Sequence, residues 1–423
     1  MEEQVIDTGE ALGQSQASEG HLADIVREWK VAWRPGVAAW IGGALGYSVW
    51  ASMASLFVQP LQDAFGWSRG DIALAGNAGL VSAFAAPMLG RLVDRLGVRP
   101  VLLTGLVLTS ICYGLFTLMS GSLWVYYALY LAFILCGTTT TGITYSRIVI
   151  GAFHKTRGSA LAIVRSGLAF SGALLPGIVF LSISRWGYVG GYLTLAALIL
   201  FISLPLAWAW VPAKSPPLPV AGAAITPESR WAMLRSPKVL VLCVAGALNY
   251  APVVAILSQM VPIAAAKGLS AAAGVGAVSL VGLAALGGAL LSGLLVDRFW
   301  APGVAFILNI LPAAGCLLLL PDQVHAANLY AAALLIGLGQ GAELDLVAYM
   351  VARYFGLRTY ATIYGLSVLT IGIMASLGIS AIGLLFDHFG NYDLAMTIAA
   401  GSFGLAAFTY LLMGRYPSAS LDS

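Results

Sequence analysis

G-R-L-V-D-R-L-G-V-R at residues 90–99 decides the interpretation of this chain, because a shorter form returns as G-L-L-V-D-R at residues 293–298. Gly90 and Gly293 lie 203 positions apart (293 − 90), and the Asp-Arg pair inside each segment keeps that spacing. Internal matches at one fixed spacing indicate a duplicated architecture. Two further pairs of segments match at shifts of 202 and 203, namely Gln59-Pro60 with Val261-Pro262 and Trp186-Gly187 with Phe389-Gly390.

The repeat lies in a chain of 423 residues that is 60% hydrophobic and only 9% charged. A soluble protein of this length carries roughly 25% charged residues. The apolar residues come in runs of about 20, the length that a helix needs to cross a bilayer. Because only helices and closed barrels satisfy the backbone in lipid, these runs predict an all-α, polytopic membrane protein.

Twelve such runs are predicted, six on each side of a proline-rich polar stretch. The duplicated segments fall at equivalent places in the two sets, so the predicted fold is a pair of pseudo-symmetric six-helix bundles. The four cysteines lie inside apolar runs, and a disulfide framework is therefore not expected. The predicted tail, first bundle, linker, second bundle and second tail occupy 1–34, 35–211, 212–238, 239–413 and 414–423.

The distribution of Lys and Arg predicts the orientation. With both termini on the cytoplasmic side, 17 of the 21 Lys and Arg residues lie in cytoplasmic segments and three lie outside. The positive-inside rule expects such a bias. We therefore predict a multi-pass protein of the cell (inner) membrane with cytoplasmic N and C termini. The remaining cation, Arg165, falls within the fifth apolar run.

The hairpin at 90–99 combines glycines that let helices approach with an aspartate suited to a neighbouring helix N-terminus. With twelve spans and a six-plus-six repeat, G-x-L-x-D-R-x-G-x-R between the second and third spans resembles the major facilitator superfamily. That resemblance implies alternating access, a central cavity lined by spans 1, 4, 7 and 10, and a gate formed by the hairpins. The implied gating residues are Gly90, Asp94, Arg95, Arg99, Asp297 and Arg298.

Two stretches resemble a narrower group, the monocarboxylate porters and the oxalate–formate exchangers. One is G-A-E-L-D-L at 341–346, followed by R-Y-F-G at 353–356. The resemblance implies a small organic anion, with a carboxylate first, as the substrate. The chain also departs from this group, since span eight has no charge before Asp297 and span eleven has none before Asp387. The other similar stretch opens span five with Phe153, Lys155, Arg157, Ala160 and Gly167.

Three charged side chains remain inside the predicted spans: Arg165, Glu343 and Asp345. Intramembrane charges are costly and normally face a cavity or one another. At about 1.5 Å per residue, all three lie roughly 12–15 Å from the cytoplasmic ends of their spans. We predict that Arg165 binds the anionic group of the substrate or pairs with one of the carboxylates, and that the carboxylates couple transport to protons. A permanent structural ion pair is the alternative.

Polar side chains on the spans expected to line the cavity complete the candidate site, because hydroxyls, phenols and amides orient a ligand in an apolar pocket. For each threonine the alternative role is packing, since its hydroxyl often bonds to its own helix backbone. The predicted substrate-binding residues are Arg165, Tyr47, Thr141, Tyr145, Asn249, Tyr250 and Tyr364.

Enzyme signatures are missing from the sequence. G-L-G-Q-G at 337–341 lies inside a span with no strand before it and is interpreted as helix packing. We predict no enzyme activity, no cofactor or metal, and no nucleic-acid partner. The prediction is a secondary transporter of a small organic anion, coupled to protons or to counter-anion exchange and, by resemblance, monomeric. The alternatives are an exporter of an amphipathic, neutral or zwitterionic compound, and a transporter-like sensor.

Overall fold

The computed structural model describes residues 26–153, 156–213, 236–356 and 359–416, whose regular structure is helical without any strand. Most of the predicted tails and linker lie outside these ranges, so the domain boundaries remain predictions. Ten helical stretches of the described residues are long and apolar enough to cross a membrane. We number the helices α1 (Val26–Phe65), α2 (69–96), α3 (Val98–Phe116), α4 (Leu123–Ala152), α5 (157–185), α6 (188–210), α7 (Pro237–Ala266), α8 (Ala271–Val296), α9 (Ala301–Leu318), α10 (Ala326–Phe355), α11 (Tyr360–Phe389) and α12 (Asp393–Leu411).

The longest helical stretch, Ala160–Trp210, contains two helices because the chain reverses within it. Trp186 and Gly187 leave helical geometry, and Gly187 takes φ = +64°, which glycine adopts without strain. Twelve residues along a straight helix span about 18 Å, yet the hydroxyl oxygens of Thr194 and Ser182 lie 2.7 Å apart. The stretch is therefore the α5–α6 hairpin. With α2 counted once across its internal 3-10 turn, the described residues form twelve helices, and that all of them cross the membrane stays a prediction.

Helix α1 extends back at least to Val26, inside the predicted N-terminal tail. Its first turns are held by the α4–α5 connection, because the Glu28 carboxylate accepts hydrogen bonds from the backbone N–H and the hydroxyl of Thr156, at 3.0 and 2.6 Å. Trp29 packs on Phe153 with ring centroids 5.1 Å apart. Glu28, which falls within the predicted N-terminal tail, thus stabilises the first turns of α1.

The molecule has an inner face and an outer face. The inner face carries the two repeated Asp-Arg segments and is predicted to be cytoplasmic; the outer face carries the α1–α2, α5–α6, α7–α8 and α11–α12 turns. Buried apolar side chains form two clusters. The larger runs through α1–α6 and into the outer parts of α7–α12, whereas the smaller is confined to the inner parts of α7–α12. The halves are therefore packed together toward the outer face and apart toward the inner face.

The glycine-rich segment of α10 packs against its neighbours, as predicted. A β-carbon on Gly337 or Gly341 would collide with the α8 backbone, and one on Gly339 would meet Pro312 of α9. Small residues at such positions let membrane helices approach closely. The contact also fixes the rotation of α10 about its axis, and hence which of its later side chains point toward the other half.

Replacing Gly341 by valine is expected to destabilise the fold by about 1–3 kcal/mol, because the added side chain meets the Ala285 carbonyl on α8. Thermal unfolding in detergent measures the loss. Gly365→Val is the matched control, since a β-carbon on Gly365 of α11 has no tertiary neighbour within 4 Å. Equal losses in the two variants would contradict a packing role for Gly341.

Candidate substrate and coupling site

The outer ends of α2 and α11 are joined by a charged contact that sequence reasoning did not identify. Asp387 of α11 accepts a hydrogen bond of 2.7 Å from the backbone N–H of Gly70. Gly70 lies in the first turn of α2, where the helix dipole favours a carboxylate. Arg69 donates to the Tyr392 hydroxyl at 2.8 Å and stacks on the Phe386 ring at 3.8 Å. We call Arg69, Gly70, Asp387 and Tyr392 the outer latch.

Asp387→Asn is expected to open the outer latch. A charge-assisted hydrogen bond contributes about 1.5–3 kcal/mol, which corresponds to a shift of about 10- to 100-fold toward an open outer face. Ser258→Cys supplies the probe, because Ser258 is buried beneath the latch beside a small cavity. An impermeant thiol reagent should label Ser258→Cys faster once Asp387 is also replaced.

The control for the latch is Asp63→Asn. The Asp63 carboxylate also lies toward the outer face, but it accepts its hydrogen bond from Gln59 on its own helix. Labelling of Ser258→Cys should therefore not change. If Ser258→Cys is labelled at the same rate with and without Asp387→Asn, the latch does not hold the outer face closed.

Toward the inner face, an ion pair joins the two halves. Nη1 of Arg165 on α5 lies 3.0 Å from Oδ1 of Asp345 on α10. The two side chains are 60% and 40% exposed, so the space between the halves is accessible at this level. Of the two carboxylates predicted as partners of Arg165, Asp345 is the one in contact. With the outer latch closed, the arrangement is open toward the inner face.

Glu343 lies two residues from Asp345 on α10, yet it is only 1% exposed. Neither of its carboxylate oxygens has a hydrogen-bond partner among the described residues. The phenols of Tyr250 on α7 and Tyr410 on α12 lie within electrostatic range of it. An ionised carboxylate without a partner is costly to bury. This environment therefore suits the neutral, protonated acid.

The phenol of Tyr250 interacts electrostatically with predicted site residues of both halves. It lies within electrostatic range of Tyr47 on α1, and of Glu343 and Tyr364 in the second half. The charges of Arg165 and Asp345 also lie within electrostatic range of the Tyr364 phenol. The Tyr364 ring stacks on Tyr360 with ring centroids 5.4 Å apart. Arg165 and Asp345 are thus in contact, whereas Tyr47, Tyr250, Tyr364 and Glu343 are related to this site by electrostatic range alone.

The other predicted binding residues contact their own half. The Thr141 hydroxyl donates to the Thr138 carbonyl at 2.8 Å. Tyr145 is buried in the first half, where its ring packs on Gly42. Asn249 is buried on α7, and its side-chain carbonyl has no hydrogen-bond partner among the described residues. A binding role for these residues stays a prediction.

Helices α1 and α4 are both interrupted beside Tyr47. Helix α1 leaves helical geometry at Gly46, and α4 does so at Thr141. The backbone N–H of Tyr47 donates to the Thr140 hydroxyl at 3.0 Å, so the two breaks meet. Irregular backbone at membrane depth is tolerated where protein buries it or where it lines a cavity. The sequence signals were the glycines of α1 and the run of four threonines in α4.

The residues predicted to form the inner gate differ in their contacts and exposure. Arg99 donates to the Trp208 carbonyl at 2.5 Å and so joins the start of α3 to the end of α6. Gly90 and Asp94 lie on α2, and their surroundings fall outside the described part of the structure. A gating role stays a prediction for all of them. Exposed at the inner face are Arg95, Asp297 and Arg298.

The fold and the polar site between its halves define a class of membrane transporter, and comparison with known families agrees. Residues 39–379 match the Major Facilitator Superfamily. The chain belongs to that superfamily. It is therefore a multi-pass membrane transporter and not an enzyme.

Solved structures share this fold. The nucleoside transporter NupG superposes with a TM-score of 0.75 at 12% identity, over 90% of this chain and 100% of that one. An inward-facing, unoccupied bacterial homologue of the human lysosomal transporter Spinster superposes with a TM-score of 0.69 at 16% identity. The match covers 92% of this chain and 99% of that one. Identities this low show the fold alone.

Relatives of similar length are found among characterised proteins. Human monocarboxylate transporter 11 is 26% identical over 410 residues, which covers 90% of this chain and 83% of that protein. Mouse monocarboxylate transporter 11 is 28% identical over 407 residues, which covers 90% of this chain and 87% of that protein.

Proposed function

We propose that this chain is a proton-coupled transporter of a small organic anion, with a monocarboxylate as the favoured substrate. The observation that carries the proposal is the Arg165–Asp345 pair, which is exposed between the halves. A guanidinium recognises a carboxylate through directed, charge-assisted hydrogen bonds. Asp345 occupies the place that a substrate carboxylate would take. A substrate that enters from the inner face can therefore displace Asp345 from Arg165.

Glu343 is the proposed proton-binding group. It shares α10 with Asp345, but one carboxylate is exposed and paired whereas the other is buried without a partner among the described residues. Such contrasting environments give two nearby acids different roles. Glu343 holds a proton while the outer face is closed and exchanges it when the halves rearrange. Tyr250 lies within electrostatic range of both Glu343 and Tyr47, and it can transmit that change.

The relatives and the charge distribution support the remaining parts of the proposal. Human monocarboxylate transporter 11 matches along nearly the whole chain, and its name is that of a carboxylate carrier. The Lys and Arg bias supports an inner face on the cytoplasmic side of a cell (inner) membrane. Each half supplies residues to one central site, so a single chain suffices as the functional unit.

Flux into proteoliposomes tests the proposed function. Short labelled monocarboxylates should accumulate when a proton gradient is imposed, and a protonophore should abolish the accumulation. A labelled dicarboxylate, an organic amine and a nucleoside test the substrate class. Uptake that requires an internal anion and ignores the pH gradient would establish exchange instead. Transport of the amine or the nucleoside, with none of any carboxylate, would refute an anion carrier.

A further inference from the structure

A second polar cavity lies at the inner face, away from the site between the halves. Its volume is about 380 Å³, and it is formed by the α8–α9 loop, the end of α10 and the segment after α12. We call it the arginine pocket. Its lining residues are Val296, Asp297, Arg298, Phe299, Trp300, Tyr349, Arg353, Arg415 and Tyr416.

The arginine pocket carries an excess of positive charge. Three guanidinium groups, those of Arg298, Arg353 and Arg415, line it against the one carboxylate of Asp297. Within the described ranges, none of the three arginines forms an ion pair. Three guanidiniums against one carboxylate leave a net positive field around the cavity, which favours an anion.

Hydrogen bonds hold the walls of the pocket in place. The Tyr416 hydroxyl accepts from the backbone N–H of Ala301 at 2.9 Å. The carbonyl of Gly414 accepts from the Tyr354 hydroxyl at 2.5 Å and from the Trp300 indole at 3.2 Å. The segment after α12 is thus fixed against α9 and α10. Arg415, which this segment presents, therefore belongs to a built cavity.

The geometry points to a phosphate-binding site, and we infer that its occupant is the headgroup of an anionic phospholipid. Guanidinium groups bind phosphate oxygens in a bidentate manner. The neighbouring Phe299 and Leu294 are 62% and 68% exposed, which suits contact with acyl chains beside the headgroup. Basic pockets among membrane helices on the cytoplasmic side bind anionic headgroups. A free phosphate compound offers the same chemistry without the acyl chains.

A bound headgroup would connect Arg298 of the α8–α9 loop to Arg353 and Arg415. It would thereby join three helix ends of the second half at the level of the repeated hairpin. The ligand should stabilise the folded protein, because it binds the native state alone.

Melting temperature in a neutral detergent tests this inference. Phosphatidylglycerol is expected to raise the melting temperature of the full chain by several degrees, whereas phosphatidylcholine should have no such effect. The Arg353→Gln/Arg415→Gln double variant should lose more than half of the shift. Arg34→Gln is the control, because Arg34 is exposed near the inner end of α1, outside the pocket. The Arg353→Lys/Arg415→Lys variant keeps the charges and should retain most of the shift.

Inorganic phosphate distinguishes the two sources of the ligand. A shift with phosphatidylglycerol, but none with millimolar phosphate, supports the lipid. An equal, arginine-dependent shift with phosphate supports the same site with a free phosphate ligand. The inference is overturned if phosphatidylcholine acts as well as phosphatidylglycerol. It is also overturned if the double glutamine variant keeps the full shift, or if Arg34→Gln loses as much as that variant.

Discussion

Replacing Arg165 by glutamine is expected to raise the KM for the anionic substrate about 10- to 100-fold. Glutamine removes a charge-assisted hydrogen bond worth about 1.5–3 kcal/mol, and each 1.4 kcal/mol is about a factor of ten. Asp345→Asn should have the opposite effect, because it frees Arg165 from its 3.0 Å partner. Concentration dependence of initial uptake in proteoliposomes measures both. Arg165→Lys, which keeps the charge but loses the planar fork, should fall between wild type and Arg165→Gln.

A permanent structural pair makes a different prediction. Arg165→Gln and Asp345→Asn would then lower transport alike, and the double variant would recover part of the loss. Melting temperature completes the comparison. A pair as exposed as this one contributes about 0–1 kcal/mol to stability, so both single variants should fold normally. Opposite effects of the two variants on KM would support the binding role, and parallel losses would refute it.

The fold follows from features that the sequence displays directly. Apolar runs of membrane length and a charged hairpin repeated at a shift of 203 predicted the all-helical membrane fold and the superfamily. The Trp186-Gly187 match predicted a turn where the chain reverses between α5 and α6. The extension of α1 back to Val26 was not predicted, because its stability comes from a tertiary contact between Glu28 and Thr156.

The sequence could not predict which of the two carboxylates, Glu343 or Asp345, pairs with Arg165. Residues two apart on a helix point about 200° apart, and which one faces Arg165 depends on the rotation of α10. Packing of Gly341 on α8 sets that rotation. Asp345 follows Gly341 by four residues and therefore continues the same face. That face leads to α5, since Gly282 of α8 packs on Gly172 of α5.

The outer latch was missed for a related reason. Asp387 and Gly70 are 317 positions apart, and their contact depends on how the two halves are tilted. Sequence reasoning noted Asp387 only as the first charge of span eleven. A local pattern identifies a carboxylate near a helix end, but it does not say which helix N-terminus will meet it.

Replacing Glu343 by glutamine is expected to abolish accumulation driven by a pH gradient while leaving substrate exchange at equal pH intact. Glutamine has the shape of the protonated acid but cannot release a proton. The buried site at position 343 should accept this neutral group, because burial penalises the ionised carboxylate and not the acid. Counterflow of labelled substrate at equal pH and net uptake under a gradient are the two measurements that separate coupling from binding.

Asp322→Asn is the matched control, since Asp322 is exposed in the connection between α9 and α10. It should leave both kinds of flux unchanged. If Glu343 is only a tolerated buried group, Glu343→Gln should give a different result. The melting temperature would rise, because glutamine cannot ionise and so avoids the cost of a buried carboxylate, and gradient-driven uptake would stay at the wild-type level. That result would remove Glu343 from the coupling mechanism and leave the proton to another group. Loss of gradient-driven uptake with preserved counterflow cannot arise from a packing defect, because a damaged fold lowers both fluxes together.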